Sequence, residues 1–101
     1  MKEPKYSIED IKAAIIPIAR KYNAKRIAIF GSYARGEAGA KSDIDLHLID
    51  TGGVWDYFML CGFRQDLEDC LGVKVDVLTT GAMDDEVLER VKKDEVMIYE
   101  Q

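Results

Sequence analysis

The chain has little of what small proteins use as covalent or metallic staples: one histidine, two cysteines and two prolines among 101 residues. Cys61 and Cys70 fall in one stretch of helical pattern, about half a turn opposed on its surface at roughly 100° per residue, which makes a disulfide between them implausible. No Cys-x-x-Cys pair or Cys/His cluster offers a zinc site, and both cysteines are read as small buried apolar groups. Long apolar runs are missing too. The opening MKEPKYSIEDIK is too charged for a signal peptide or a membrane span, so a cytoplasmic protein without a membrane partner is expected. Cationic excess is also absent: 14 Lys and Arg face 19 Asp and Glu, a formal net charge of -5. That balance argues against affinity built on neutralising many phosphates, and no direct sequence-specific nucleic-acid binding is expected. A nucleotide held through metal ions stays open.

What is present is enough apolar content, 48%, for one modest core, and residues 1–101 are expected to form a single domain. Ile8, Ile11, Ile15, Ile18 and Tyr22 follow the spacing of one helix face, with Ser7 and Asp10 resembling a capping box. Pro17 is expected to kink that helix or end it near Ile16. KRIAIFGS reads as a strand running into a tight turn at Gly31. In DIDLHLI, Ile44, Leu46 and Leu48 alternate with Asp43, Asp45 and His47, giving a core face and a polar face. After a break at Thr51, Gly52 and Gly53, Trp55, Met59, Phe63, Leu67 and Leu71 recur every four residues. Phe58 and Leu60 are expected to widen that stripe, in a helix over 54–71 ending at Gly72. VKVDVLTT reads as a further strand, 83–93 as a short charged helix with Val87, Leu88 and Val91 inward, and VMIY as a closing strand.

This order points to an α/β (α+β) fold, a mixed sheet of about four strands covered by helices. Ser32 to Ser42 is too short for a confident crossover helix, which favours a mixed over an all-parallel sheet.

Asp43 and Asp45 stand on one strand face, about 6.6 to 6.8 Å apart along the chain, where their charges repel. A hard divalent cation relieves that repulsion, and Mg²⁺ characteristically takes one or two carboxylates together with substrate phosphates. Asp76, between Val75 and Val77, adds a third acid. The glycine closing the first strand lets backbone N–H groups approach an anion, and Ser32 adds a hydroxyl donor. A phosphate cradle about ten residues ahead of Asp-x-Asp is the pairing that metal-assisted nucleotidyl transfer needs.

Gly31, Ser32, Ala34, Arg35 and Gly36, then Ser42, Asp43, Asp45 and Leu46, with Asp76 later, resemble the G-S-x-A-x-G…S-D-x-D-L…D signature of the DNA polymerase beta nucleotidyltransferase superfamily. The match is closest to its minimal nucleotidyltransferases and spans nearly the whole chain. The resemblance implies two Mg²⁺ ions held by Asp43 and Asp45, with Asp76 completing the site and helping to activate an acceptor hydroxyl. It implies the triphosphate of ATP on Gly31 and Ser32. Arg35 and Ser42 are secondary candidates for nucleotide contact, against a surface salt bridge for Arg35 and a loop cap for Ser42; Lys41 is weaker still. His47 is read as a satisfied strand histidine rather than a proton carrier.

The resemblance further implies a helical partner of the HEPN class, a toxin silenced when AMP is transferred to its tyrosine. The chain leaves no residues for a separate acceptor domain, which agrees with an acceptor from elsewhere. Two alternatives stand beside this: a non-catalytic nucleotide-binding module that neutralises its partner by complex formation, and a small-molecule nucleotidyltransferase acting as a dimer. Oligomeric state is open.

Overall fold

Four short alternating stretches pair into one sheet, and the helices between them lay their apolar faces on it. The computed structural model describes residues 3–49 and 55–101. Along the chain run α1 (Ile8–Lys21), β1 (Arg26–Phe30), β2 (Ile44–Ile49), α2 (Tyr57–Leu71) and β3 (Val75–Thr79). A 3-10 turn (Thr80–Ala82), α3 (Asp85–Asp94) and β4 (Val96–Glu100) follow. The strand order is β3-β2-β1-β4, with β2 and β3 parallel and the other two pairings antiparallel. The sheet is therefore mixed, as expected: antiparallel β1 and β2 need only a loop between them, while parallel β2 and β3 are joined through α2. Among the described residues, no helix is long and apolar enough to cross a membrane.

The core lies on the sheet face carrying Ile27, Ile29, Ile44, Leu46, Leu48 and Val75, all buried against α1 and α2. Ser7 and Asp10 form the capping box that starts α1. The helix does not end near Ile16, however: it runs through Pro17 to Lys21. Pro17 and Ala13, whose carbonyl loses its N–H partner, are both exposed, so water can satisfy that oxygen while Ile11, Ile15 and Ala19 anchor the helix on either side. Tyr6 donates to the Leu71 carbonyl and ties the chain before α1 to the end of α2, where Gly72 turns left-handed at φ 68°.

The α2 stripe is narrower than its sequence pattern. Phe63, Leu67 and Leu71 are buried, but the helix starts at Tyr57, Trp55 packs on Phe63 from the preceding segment (ring centroids 5.3 Å apart), and Phe58 stands in solvent. The break at Thr51, Gly52 and Gly53 lies outside the described residues. Asp43 sits just ahead of β2 rather than within it. Neither cysteine is buried: Cys61 is half-buried and Cys70 exposed, because position 70 falls on the solvent side of α2. Both are free thiols. Phe63→Ala should lower unfolding free energy by about 3–5 kcal/mol, and Cys70→Ser should change it by less than about 0.5 kcal/mol, both measured by urea denaturation.

Candidate active site

The parallel register of β2 and β3 sets Asp45 directly beside Asp76. Adjacent strands lie about 4.8 Å apart, so two carboxylates share one patch of the sheet face that the core does not use. Antiparallel pairing sets Phe30 on the other side of Asp45, and the chain leaves Phe30 straight into the Gly31 turn. Gly31 has φ +75°, and a Cβ placed there would run into Asp45 Oδ2. Glycine is thus required both by its left-handed backbone and by the closeness of the carboxylate. The turn is closed by Arg35 N–H donating to the Gly31 carbonyl (3.1 Å) and Glu37 N–H to that of Ser32 (2.8 Å), while buried Tyr33 anchors it in the core. Asp43 is exposed at the entrance to β2.

Partial burial raises the Asp45 carboxyl above the usual aspartate range, and the negative charges of Asp76 and Asp43 push it the same way. Arg35 and Lys74 oppose the shift. Neither Asp43 nor Asp45 forms a hydrogen bond or ion pair with a described residue, and Asp76 has Lys74 Nζ at 4.0 Å. The site is therefore an under-compensated patch of negative oxygen donors, the chemistry that suits a hard divalent cation. Among the described residues no three His, Cys, Asp or Glu side chains form a ready-made metal cluster. Mg²⁺ does not need one, because it binds through one or two carboxylates completed by water and phosphate.

Arg35 and Ser42 have partners of their own. Arg35 Nε donates to Glu37 Oε1 (2.9 Å) and Nη1 to Asp94 Oδ2 (3.2 Å), so its charge is shared between two surface acids. Ser42 Oγ accepts from Gly39 N–H at 2.7 Å, stapling its own loop. His47, two residues beyond Asp45, is buried with both ring nitrogens engaged: Nδ1 with Glu95 Oε1 and Nε2 with Thr80 Oγ1, each at 2.7 Å. It fastens β2 to the 3-10 turn and to the junction of α3 with β4.

Two hollows flank the carboxylates. One, of about 320 Å³, contains Asp45 and Asp76 on its sheet side and Tyr57, Leu60, Cys61 and Arg64 from α2. The other, of about 240 Å³, lies at Gly31 and Arg35 and includes Arg90 and Asp94 of α3. Nothing in the sequence pattern marks Arg64 and Arg90 as charges near the site. Helical spacing places Tyr57, Cys61 and Arg64 on one face of α2, but which face meets the carboxylates depends on how α2 packs.

A raised Asp45 holds its proton more tightly in the folded than in the unfolded chain. Its stabilising effect is complete below the unfolded aspartate range and is lost as pH rises through the interval up to the folded value. At neutral pH the ionised Asp45 works against folding. In metal-free protein, Asp45→Asn should raise the melting temperature at pH 7 by less than about 4 °C, solvent screening at this half-open position keeping the gain small. A lower melting temperature in differential scanning calorimetry would contradict the burial and repulsion assigned to this carboxylate.

The family described as "Polymerase beta, Nucleotidyltransferase" matches residues 13–101. A Methanocaldococcus jannaschii relative named as a candidate protein adenylyltransferase, MJ0435, is 40% identical over 90 residues, covering 89% of this chain and 96% of that protein. In fold the chain is similar to a toxin–antitoxin crystallised with AMP-PNP: TM-score 0.77, 22% identity, 89% of this chain and 73% of the other. It is also similar to a Shewanella oneidensis complex of a tri-AMPylated HEPN toxin with an MNT antitoxin: TM-score 0.73, 19% identity, 93% of this chain and 73% of the other. With the family model matched over residues 13–101 and a relative 40% identical across 89% of the chain, the chain belongs to the polymerase beta nucleotidyltransferase family.

Proposed function

We propose that the chain, as one minimal nucleotidyltransferase domain of the cytoplasm, transfers AMP from ATP to a hydroxyl of a HEPN-type partner protein and so acts as its antitoxin. The observation that carries this reading is the pairing of Asp45 with Asp76 beneath the Gly31 turn, at the edge of an open cleft. The adenylyltransferase name of the M. jannaschii relative and the AMP-PNP and AMPylated-toxin complexes among the structural neighbours support ATP as donor and a protein as acceptor.

Asp43 and Asp45 would hold Mg²⁺, which when bound supplies positive charge for the triphosphate and lowers the pKa of the attacking hydroxyl. Gly31 and Ser32 present the turn to the phosphates. Arg90 lends charge at that hollow, and Arg35 would do so only on giving up Asp94 or Glu37. Asp76 receives the proton of the acceptor hydroxyl, a tyrosine in this reading. The hydroxyl oxygen bonds to the α-phosphorus as the bond from that phosphorus to the bridging oxygen breaks, and pyrophosphate departs.

Incubation with labelled ATP, Mg²⁺ and a HEPN-type toxin protein should label that protein. Asp45→Asn should reduce labelling about 100-fold or more, and Arg35→Ala by less than about tenfold. A tight complex unaffected by Asp45→Asn and without label would instead identify a non-catalytic binding module. Mg²⁺ with ATP should raise the wild-type melting temperature and leave that of Asp45→Asn unchanged, since a ligand stabilises only the fold that binds it.

A further inference from the structure

We infer that the start of α2, where Tyr57 and Phe58 stand exposed beside the carboxylate cleft, is the surface that seats the acceptor protein. This rests on the transfer reading above. Tyr57 is 76% and Phe58 82% exposed, and their rings meet edge to face with centroids 6.3 Å apart. A single exposed aromatic is ordinary, but an adjacent pair of which one member, Tyr57, lines the cleft has the composition of a binding centre.

Tyr57, Cys61 and Arg64 line the hollow that also contains Asp45 and Asp76. Whatever rests on this α2 face therefore abuts the group that receives the acceptor's proton. The Gly31 turn meets the opposite side of Asp45, where the second hollow with Arg90 gives the triphosphate its place. The α2 side is left for the attacking hydroxyl. Charge narrows the occupant further. Arg64 is the one cation lining this hollow and has no ion pair among the described residues, whereas Arg35 is held by Glu37 and Asp94. Arginine and aromatic side chains together favour an apolar protein segment with an acidic residue near its hydroxyl. The occupant is thus a second protein presenting that hydroxyl on such a segment.

The test compares wild type, the double substitution Tyr57→Ala with Phe58→Ala, and Arg64→Glu. All three positions are exposed, and circular dichroism checks that each variant folds. Calorimetry with the HEPN-type protein that wild type labels should show affinity weakened about tenfold or more in the variants, with a matching rise in its KM for transfer. Affinity for AMP-PNP with Mg²⁺ should stay unchanged. Weakened AMP-PNP binding would overturn the inference by making this face the seat of the nucleotide. Unchanged acceptor binding would overturn it too, as would a wild-type dimer, seen in sedimentation, that the substitutions disperse without affecting the acceptor. Asp45→Asn separates the two readings: a variant that binds acceptor normally and still transfers AMP refutes the catalytic assignment and leaves the docking surface intact.

Discussion

The parallel pairing of β2 with β3 is the constraint on which the site depends. Shifting that register by one residue would send Asp76 to the core face and Val75 or Val77 to the open face. The register is held by the apolar residues on the other side, since Ile44 and Val75, themselves neighbours across the ladder, are both fully buried. The same packing that builds the core thus sets two acids side by side against their mutual repulsion. The molecule tolerates this because the rest of the sheet is well anchored: His47, on the same face as Asp45, is satisfied on both nitrogens. One position on the open face is locked while its neighbour is left raised and unpartnered.

The Gly31 turn shows how closely backbone and charge are fitted. Its backbone passes so near Asp45 that no side chain fits between them, which brings an N–H-bearing turn against a carboxylate rich in negative potential. A polyphosphate bridged to that carboxylate by a cation would join the two. Without a cation, burial and the neighbouring acids keep Asp45 above its ordinary range. Strain of this kind is common where a protein keeps a binding site at the expense of fold stability.

Much of this was legible in the sequence because it rests on local patterns. The alternation of β2, the capping box at Ser7, the glycine after β1 and the short link to β2 each follow from residue type and spacing. Three features escaped because they depend on neighbours distant in the chain. Pro17 stays helical because core contacts before and after it outweigh one missing hydrogen bond. Phe58 fits an apolar stripe by spacing but falls outside the arc that α2 buries. His47 is satisfied, as its reading had it, but its partners could not be named from the pattern, since Glu95 and Thr80 arrive from 48 and 33 residues away. Of the candidate site, Asp45, Asp76 and Gly31 come together as their pattern implies. Arg35 and Ser42 show that a polar residue near a motif can be taken up by its own loop.

The central claim is that the Asp45–Asp76 patch and the Gly31 turn form one seat for a metal-bound nucleotide. A crystal structure of the chain grown with Mn²⁺ in place of Mg²⁺ and AMP-PNP tests it most directly, through the anomalous signal of the metal. The account predicts a peak bound by Asp45, with the triphosphate against Gly31 and Ser32. A nucleotide bound elsewhere, or a metal peak away from these carboxylates, would contradict it.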